Sequence, residues 1–283
     1  MDGSSAHPEG YKEYKERNTD SRTNEELFLL ALNDDDEIAW EAITELQRRG
    51  NRDIFEQAHQ FCISSETKKR RVGADILGQL GLLERPFHEE IFVVLLAMLQ
   101  QEQESEVLKS VAVALGHRND PRAIKALARL KHHPDEAVRF GMVFGLMGYE
   151  DELAIQTLIE CSTDIDVDVR DWATFALGSQ IELDTLAIRE ALLARLNDTD
   201  ENTRSEAIVG LAQRGDPHMV EPLIADLEQG WISNAALEAA AEIGDPRLYP
   251  ILQQLQLTWA DDNDEWLYKR LLEAIESCRP VQK

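Results

Sequence analysis

The sequence predicts an all-α fold, an α–α superhelix of about eight helical hairpins, and three observations support this. An apolar residue in the same helical setting recurs eight times, at intervals of 31 to 38 residues. Several of the intervening helices open on Asp-Pro, and no segment shows the alternating pattern of a strand. Repeats of this length are typical of stacked helical hairpins. The eight recurring residues, called anchors below, are Leu46, Leu77, Leu115, Leu146, Leu177, Leu211, Ile243 and Ile275.

The helix that carries each anchor is taken as the second helix of its hairpin. Positions one, four and eight before the anchor are apolar or small, so they form one stripe along that helix. Small residues in this stripe, such as Gly145, Ala173 and Gly210, let neighbouring helices approach closely. We therefore expect this stripe to face the core of the stack.

The first helices are marked by the segments "NDPRAIKALARL", "GDPHMVEPLIADL" and "GDPRLYPILQQL". Asp is a favoured N-cap, and Pro is tolerated at the first helical position because its missing N–H would be unpaired there. The interval of 38 residues contains "GLLERPFHEE", residues 81–90, which predicts a longer loop. Glycines near the ends of the anchor helices fit the intervening turns.

A column of acids lies eleven residues before the anchors, and arginines follow four residues after several of these acids. Side chains at this spacing meet on a helix, and the acid can also cap its helix and bridge to the next repeat. The alternative is an acid–base or guanidinium site at Asp166 and Arg170. Recurrence favours a structural ladder, because a catalytic group needs one tuned environment. The predicted ladder comprises Asp135, Arg139, Asp166, Arg170, Asp200 and Arg204.

The chain of 283 residues has 54 acidic and 29 basic residues, a net charge of −25. Such a charge repels nucleic acid and anionic membranes and attracts basic proteins. Three widely separated cysteines indicate a reducing compartment, and neither a signal peptide nor a run of ~20 apolar residues is present. We expect a cytoplasmic protein without nucleic-acid or membrane partners. Residues 1–22 are expected to be a flexible tail and residues 23–283 a single repeat domain.

The segments "DVRDWATFALG", "NTRSEAIVGLAQRGDPHMVEPLIADL" and "NAALEAAAEIGDPRLYPILQQL" resemble HEAT-like repeats of the phycobilisome-lyase type, over about residues 24–277. Relatives with this fold include bilin lyases, DNA glycosylases and metal-dependent hydroxylases with several His-Glu pairs. This chain has one such pair, His88-Glu89, too few for a metal site of that kind. His132-His133 precedes a proline and is interpreted as a solvated turn. We expect no catalytic residue, no metal and no cofactor; the alternative is an enzyme subunit related to the bilin lyases or the hydroxylases.

One face of each second helix belongs neither to the core stripe nor to the ladder. In HEAT-like folds this face lines the concave surface, and here it carries aromatic residues in repeats four and five. Aromatic anchors inside a charged rim are the usual composition of a protein-binding surface. The alternative is that these rings pack between repeats. The predicted partner-binding residues are Phe140, Phe144, Trp172, Phe175, Val113 and Val209, with Asp171 and Glu206 in the rim.

A second resemblance concerns the segments "NEELFLLAL", "RRVGADILGQLG", "DVRDWATFA" and "ALEAAAEIGD". They are similar to small bacterial HEAT-repeat proteins associated with Rhs-type toxins, which are regarded as immunity proteins that neutralise the toxin. This resemblance agrees with a non-enzymatic protein-binding scaffold, for which the acidic net charge predicts a basic protein partner. In the sharpest form, which the resemblance implies, that partner is a toxin.

Overall fold

The computed structural model describes residues 20–230, 232–259 and 265–280, and within these ranges it contains sixteen α-helices and no strand. The prediction of an all-α fold of about eight hairpins is confirmed. The first helices of the hairpins are α1 (Asn24–Leu30), α3 (Arg52–Cys62), α5 (His88–Gln101), α7 (Ile124–Leu127), α9 (Glu152–Cys161), α11 (Leu186–Arg195), α13 (Val220–Glu228) and α15 (Tyr249–Thr258). The second helices are α2 (Asp36–Arg49), α4 (Thr67–Gly78), α6 (Ser105–Arg118), α8 (Glu136–Leu146), α10 (Val167–Phe175), α12 (Glu201–Gln213), α14 (Asn234–Ile243) and α16 (Glu265–Ser277).

The helices are grouped in two compact units, residues 1–126 and 127–283, and the boundary falls within α7. In the first unit the second helices α2, α4 and α6 pack side by side. In the second unit α8, α10, α12, α14 and α16 do the same. Within each unit the second helices therefore form one layer, against which the first helices pack. The single domain over 23–283 stays a prediction.

The predicted N-terminal tail lies largely outside the described residues, which begin at residue 20. Its last residues are held against α2 by Arg49. The Nη2 of Arg49 donates to the backbone carbonyls of Arg22, at 2.9 Å, and Asp20, at 3.1 Å. The side chain of Arg22 also pairs with Glu41 at 2.6 Å. Contacts with the repeats thus begin before the predicted boundary at residue 22.

The anchors form the core, as their spacing predicts. Seven of the eight are buried, and Ile243 is half-buried. The small residues of the stripe bring second helices into close contact, most clearly where α12 crosses the end of α10. A Cβ added at Gly210 would lie 2.5 Å from the Cα of Gly178. Only glycine fits there, because the nearest atoms belong to the facing backbone.

The Asp-Pro segments begin first helices, but through a short 3-10 turn. Each aspartate accepts a hydrogen bond from the backbone N–H two residues later, at 2.9–3.1 Å. The proline therefore opens a tight turn that precedes the α-helix, rather than the α-helix itself. These turns are Pro121–Ala123 before α7, Pro217–Met219 before α13 and Pro246–Leu248 before α15.

The predicted long loop at 81–90 is present and is held by a buried arginine. Gly81, Arg85 and Phe87 have positive φ, which ends regular helix geometry between α4 and α5. The fully buried guanidinium of Arg118 donates to the carbonyls of Leu80, Arg85 and Pro86 at 3.2–3.3 Å. Burial, helped by the nearby charge of Arg85, lowers the pKa of Arg118 to about 10.

The arginines of the predicted ladder reach forward to an acid of the next repeat. The cap acids four residues earlier, Asp135, Asp166 and Asp200, accept hydrogen bonds from the backbone N–H groups of their own helices. This corrects the expected pairing within one helix, because each cap carboxylate is turned toward its helix N-terminus. The bridges between repeats are Arg139–Asp164 at 2.8 Å, Arg170–Asp198 at 2.9 Å and Arg204–Asp226 at 3.4 Å.

Candidate functional site

The candidate site lies in the second unit and begins with the irregular end of α10. After Phe175 the chain continues as one π-helical turn, Ala176–Gln180. Two of its carbonyls accept hydrogen bonds from Arg214, the residue that follows α12: its guanidinium donates to Leu177 at 3.0 Å and to Gly178 at 2.9 Å. Such turns are frequent at functional sites. This one brings Ser179 within hydrogen-bonding reach of the Glu206 carboxylate.

Four aromatic rings meet where α8 and α10 pack. Trp172 is at the centre, and its ring centroid lies 5.5 Å from that of Phe140, 6.2 Å from Phe144 and 5.8 Å from Phe175. The rings of Phe140 and Phe175 meet Trp172 at steep angles of 70° and 74°, a favourable edge-to-face arrangement. We call these four residues the aromatic cluster.

All four side chains of the aromatic cluster are half-buried. The rings therefore pack between repeats, which is what the packing interpretation predicts. They also keep part of their surface exposed, which a protein-binding surface requires. Four other residues of the same two helices, Val138, Met142, Val169 and Ala173, are fully buried and form the core there. The aromatic cluster is a half-buried apolar patch beside this core.

Two carboxylates stand near Trp172 along the helices: Asp171 directly precedes it on α10, and Glu206 lies on the neighbouring helix α12. Burial raises the pKa of Asp171 to about 6, and the charges of Asp200 and Asp168 add to this effect. Burial raises the pKa of Glu206 to about 7, with a further contribution from the charge of Asp171. The Asp171 and Glu206 carboxylates therefore repel each other in a partly desolvated place. We call these two residues the acid pair.

The acid pair is poorly compensated by the protein itself. The Oδ1 atom of Asp171 is buried and has no hydrogen-bond partner among the residues that the structure describes. Its neighbour Arg170 forms an ion pair with Asp198 and donates a hydrogen bond to the Asp164 carbonyl, which lies 2.8 Å away. The positive charge of Arg170 opposes the rise in the pKa of Asp171, but its guanidinium donates its hydrogen bonds to the ladder instead. A buried, unneutralised carboxylate is costly unless a positive group approaches it.

The two remaining predicted residues lie elsewhere. Val209 on α12 lines a separate groove of about 310 Å³, bordered by Leu237, Glu238, Arg270 and Glu273 of the following repeats. Val113 is half-buried on α6 and belongs to the first unit. The site that the structure brings together in the second unit therefore comprises the aromatic cluster and the acid pair.

Sequence reasoning missed Ser179, Asp164 and Asp198. Two of the acids that form the bridges did have a sequence signal: Asp164 and Asp198 both stand thirteen residues before an anchor. Ser179 had no comparable signal, since it reaches Glu206 only through the π-helical turn.

The described ranges contain no group of three or more His, Cys, Asp and Glu residues placed to hold a metal ion. His88 pairs with Asp120 at 3.1 Å. The three cysteines are buried and form no disulfide with one another. No helix in the described part of the chain is long and apolar enough to cross a membrane.

The pattern of HEAT repeats matches residues 92–178 and 188–276, which include the aromatic cluster and the acid pair. The chain belongs to the HEAT-repeat family. The predicted resemblance to HEAT-like repeats is thereby confirmed. Protein YibA of Escherichia coli K12 is 29% identical over 263 residues, which cover 89% of this chain and 92% of YibA.

Solved structures were compared with this chain. The X-ray structure of E. coli YibA aligns with a TM-score of 0.71 at 25% identity and covers 98% of both chains. An engineered protein aligns with a TM-score of 0.56 at 19% identity, over 95% of this chain and 78% of that one. The CpcE–CpcF complex of phycocyanin lyase from Nostoc sp. PCC7120 is more distant, with a TM-score of 0.46 at 16% identity over 93% and 97% of the two chains.

Proposed function

We propose that this HEAT-repeat protein is a non-enzymatic protein-binding module and that its partner is a basic protein that docks on the aromatic cluster. The observation that carries the proposal is the position of Trp172. This ring contacts three phenylalanines and remains half-exposed. It directly follows Asp171 on α10, and neither Asp171 nor Glu206 forms an ion pair with a basic side chain in the described ranges.

The aromatic cluster has the composition of a binding hot spot. Trp is among the residues most enriched at such positions, and hot spots are surrounded by polar groups that exclude water. Fully buried aliphatic and small residues of α8 and α10 form the core there, and the rings of Trp172 and Phe175 are only half-buried. The exposed part of these two rings is the apolar surface offered to a partner.

The charge of the protein selects a basic partner. The net charge of −25 and the acid pair attract positive surfaces and repel nucleic acid and anionic lipid. Complementary charge raises the association rate and discriminates between partners. In its sharpest form, the partner is a toxin that the protein neutralises in the cytoplasm.

The acid pair also favours a second candidate, an enzyme or enzyme subunit related to the bilin lyases or the hydroxylases. Carboxyl groups with raised pKa values occur at catalytic sites, where they act as general acids. Absorption spectra and metal analysis of the purified protein distinguish the two candidates. A bound chromophore or stoichiometric iron would favour the enzyme.

The protein-binding proposal is tested by capturing partners from the source cell and reconstituting the purified pair. Trp172→Ala is expected to weaken the Kd at least about 30-fold, the loss typical of a hot-spot residue. Trp40→Ala is the matched control, because Trp40 is an exposed tryptophan of α2 in the first unit. Equal effects of the two substitutions would contradict docking on the aromatic cluster. For the toxin version, co-expression with the captured protein must protect the cell.

A further inference from the structure

We propose that the Trp172 end of the aromatic cluster, together with Asp171 and Glu206, receives one arginine side chain of the partner. The arginine stem lies across the rings of Trp172 and Phe175, and its guanidinium meets the two carboxylates. This inference rests on the proposed function, since it names the feature of the basic partner that the site recognises.

The first argument is the local balance of charge. The Oδ1 atom of Asp171 is buried without a hydrogen-bond partner in the described part of the chain. Asp171 is near the charges of Asp168, Asp200 and Arg170, while Glu206 is near the charge of Asp171 and the Ser179 hydroxyl. Arg170 is already bound in two directions, by the Asp198 carboxylate and the Asp164 carbonyl. A cation supplied from outside the chain relieves the repulsion that remains.

The second argument is how this protein pairs two other aromatic rings, the buried Phe92 and the half-buried Phe87, with an arginine and an acid. Arg122 lies 4.1 Å above the Phe92 ring while it pairs with Glu89, and Arg52 lies 4.1 Å above Phe87 while it pairs with Glu90. The set of ring, guanidinium and carboxylate thus recurs within the chain. Trp172 with Asp171 and Glu206 has the ring and the carboxylates, and in the described ranges no arginine lies over Trp172 or Phe175.

The third argument distinguishes arginine from lysine. A guanidinium is planar, stacks on aromatic faces and is weakly hydrated, so it leaves water for a half-buried place at lower cost than an ammonium. Its several N–H donors can reach two carboxylates at once, whereas an ammonium acts as a compact point charge. A site formed by a ring and two carboxylates therefore favours arginine.

The test uses the full chain with ethylguanidinium as the probe and ethylammonium as its comparison, at constant ionic strength. The readout is the indole N–H resonance of Trp172, assigned by its loss in Trp172→Phe. At pH 8 ethylguanidinium is expected to shift this resonance saturably. The double variant D171N/E206Q is expected to bind about tenfold more weakly, which corresponds to loss of a charge-assisted hydrogen bond. The same weakening is expected for the natural chain at pH 5, where protons occupy both carboxyls.

Glu221→Gln is the matched control, because Glu221 is an exposed carboxylate of α13 and its loss must leave the titration unchanged. Equal binding of ethylammonium, or an unchanged titration in D171N/E206Q, would overturn the arginine site. The captured partner separates this failure from that of the proposed function. If Trp172→Ala weakens the partner but D171N/E206Q does not, the docking surface stands and the arginine site falls. If the probe binds but Trp172→Ala leaves the partner unaffected, the proposed function falls instead.

Discussion

The guanidinium of Arg170 on α10 donates two hydrogen bonds to the carboxylate of Asp198 in the next repeat. Nε lies 2.9 Å from Oδ2, and Nη2 lies 3.1 Å from Oδ1. Both side chains are largely shielded, at 11% and 6% exposure. The same guanidinium donates to the Asp164 carbonyl, so one side chain joins the turns that open two successive second helices. We expect such bridges to hold neighbouring repeats in register.

Loss of the Arg170–Asp198 bridge should lower the stability of the fold. Arg170→Met is expected to lower the free energy of unfolding by about 3 kcal/mol, because it leaves the shielded Asp198 carboxylate without its main partner. Lys68→Met is the matched control: Lys68 pairs with Asp34, whose side chain is fully exposed. An exposed pair of this kind contributes little to stability, because water and salt screen it. Urea unfolding of the two variants measures the difference, and equal costs would refute a stabilising role for the bridges.

The acid pair makes stability depend on pH near neutrality. Folding raises the pKa of Glu206 to about 7, so the folded state holds a proton that the unfolded state releases. Stability is therefore expected to increase as the pH falls from 8 to 6, the reverse of the trend for an ion-paired acid. Thermal unfolding across this interval measures the trend. A melting temperature that falls with the pH over this interval would contradict it.

Glu206→Gln should weaken that dependence and leave the smaller part that comes from Asp171. At pH 8 the substitution is expected to stabilise the protein by about 1 kcal/mol, since it ends a repulsion between carboxylates in a partly solvated place. Near pH 5 the difference should vanish, because Glu206 is then neutral as well. Glu221→Gln, on an exposed carboxylate, should change little at either pH. A stabilised variant that binds its partner less well would show that the acid pair is retained for binding.

The contact between Gly178 and Gly210 tolerates no side chain. Gly210→Ala is expected to cost about 3 kcal/mol, because the new methyl group meets backbone that cannot move aside. Gly148→Ala is the comparison, since nothing lies within 4 Å of the added carbon and only the positive φ opposes it. Its expected cost is about 1 kcal/mol. Equal melting temperatures for the two variants would show that α10 and α12 can separate.

Trp172 should serve both packing and binding. Trp172→Ala removes three ring contacts, each with about 0.5–1.5 kcal/mol, so a fall in melting temperature is expected alongside the loss of partner binding. Phe175→Leu, which removes one ring contact and keeps apolar volume, should cost less than about 1.5 kcal/mol. Circular dichroism must show unchanged helical content in both. A stability loss for Trp172→Ala without any change in the partner Kd would assign this ring to packing alone.

Sequence patterns within single helices were sufficient to predict the repeat. The apolar spacing located all eight hairpins, and the Asp-Pro segments located three of the first helices. The aromatic residues were recognisable because they occupy positions that the core stripe does not use. The direction of the arginine side chains was not predictable, since Arg170 has acids within reach both on its own helix and on the next repeat.

The sequence by itself determined the all-α repeat, its buried stripe and which side chains the repeat leaves over, because these depend on residues within one or two helical turns. Only the tertiary structure decided which acids the arginines bind and where Asp171 and Glu206 meet. It also decided that the four rings form one half-buried cluster. These features depend on how far neighbouring repeats approach each other, and that distance is set by contacts such as Gly178 with Gly210, more than thirty residues apart. Burial then shifts the pKa of each carboxyl, which no local pattern specifies.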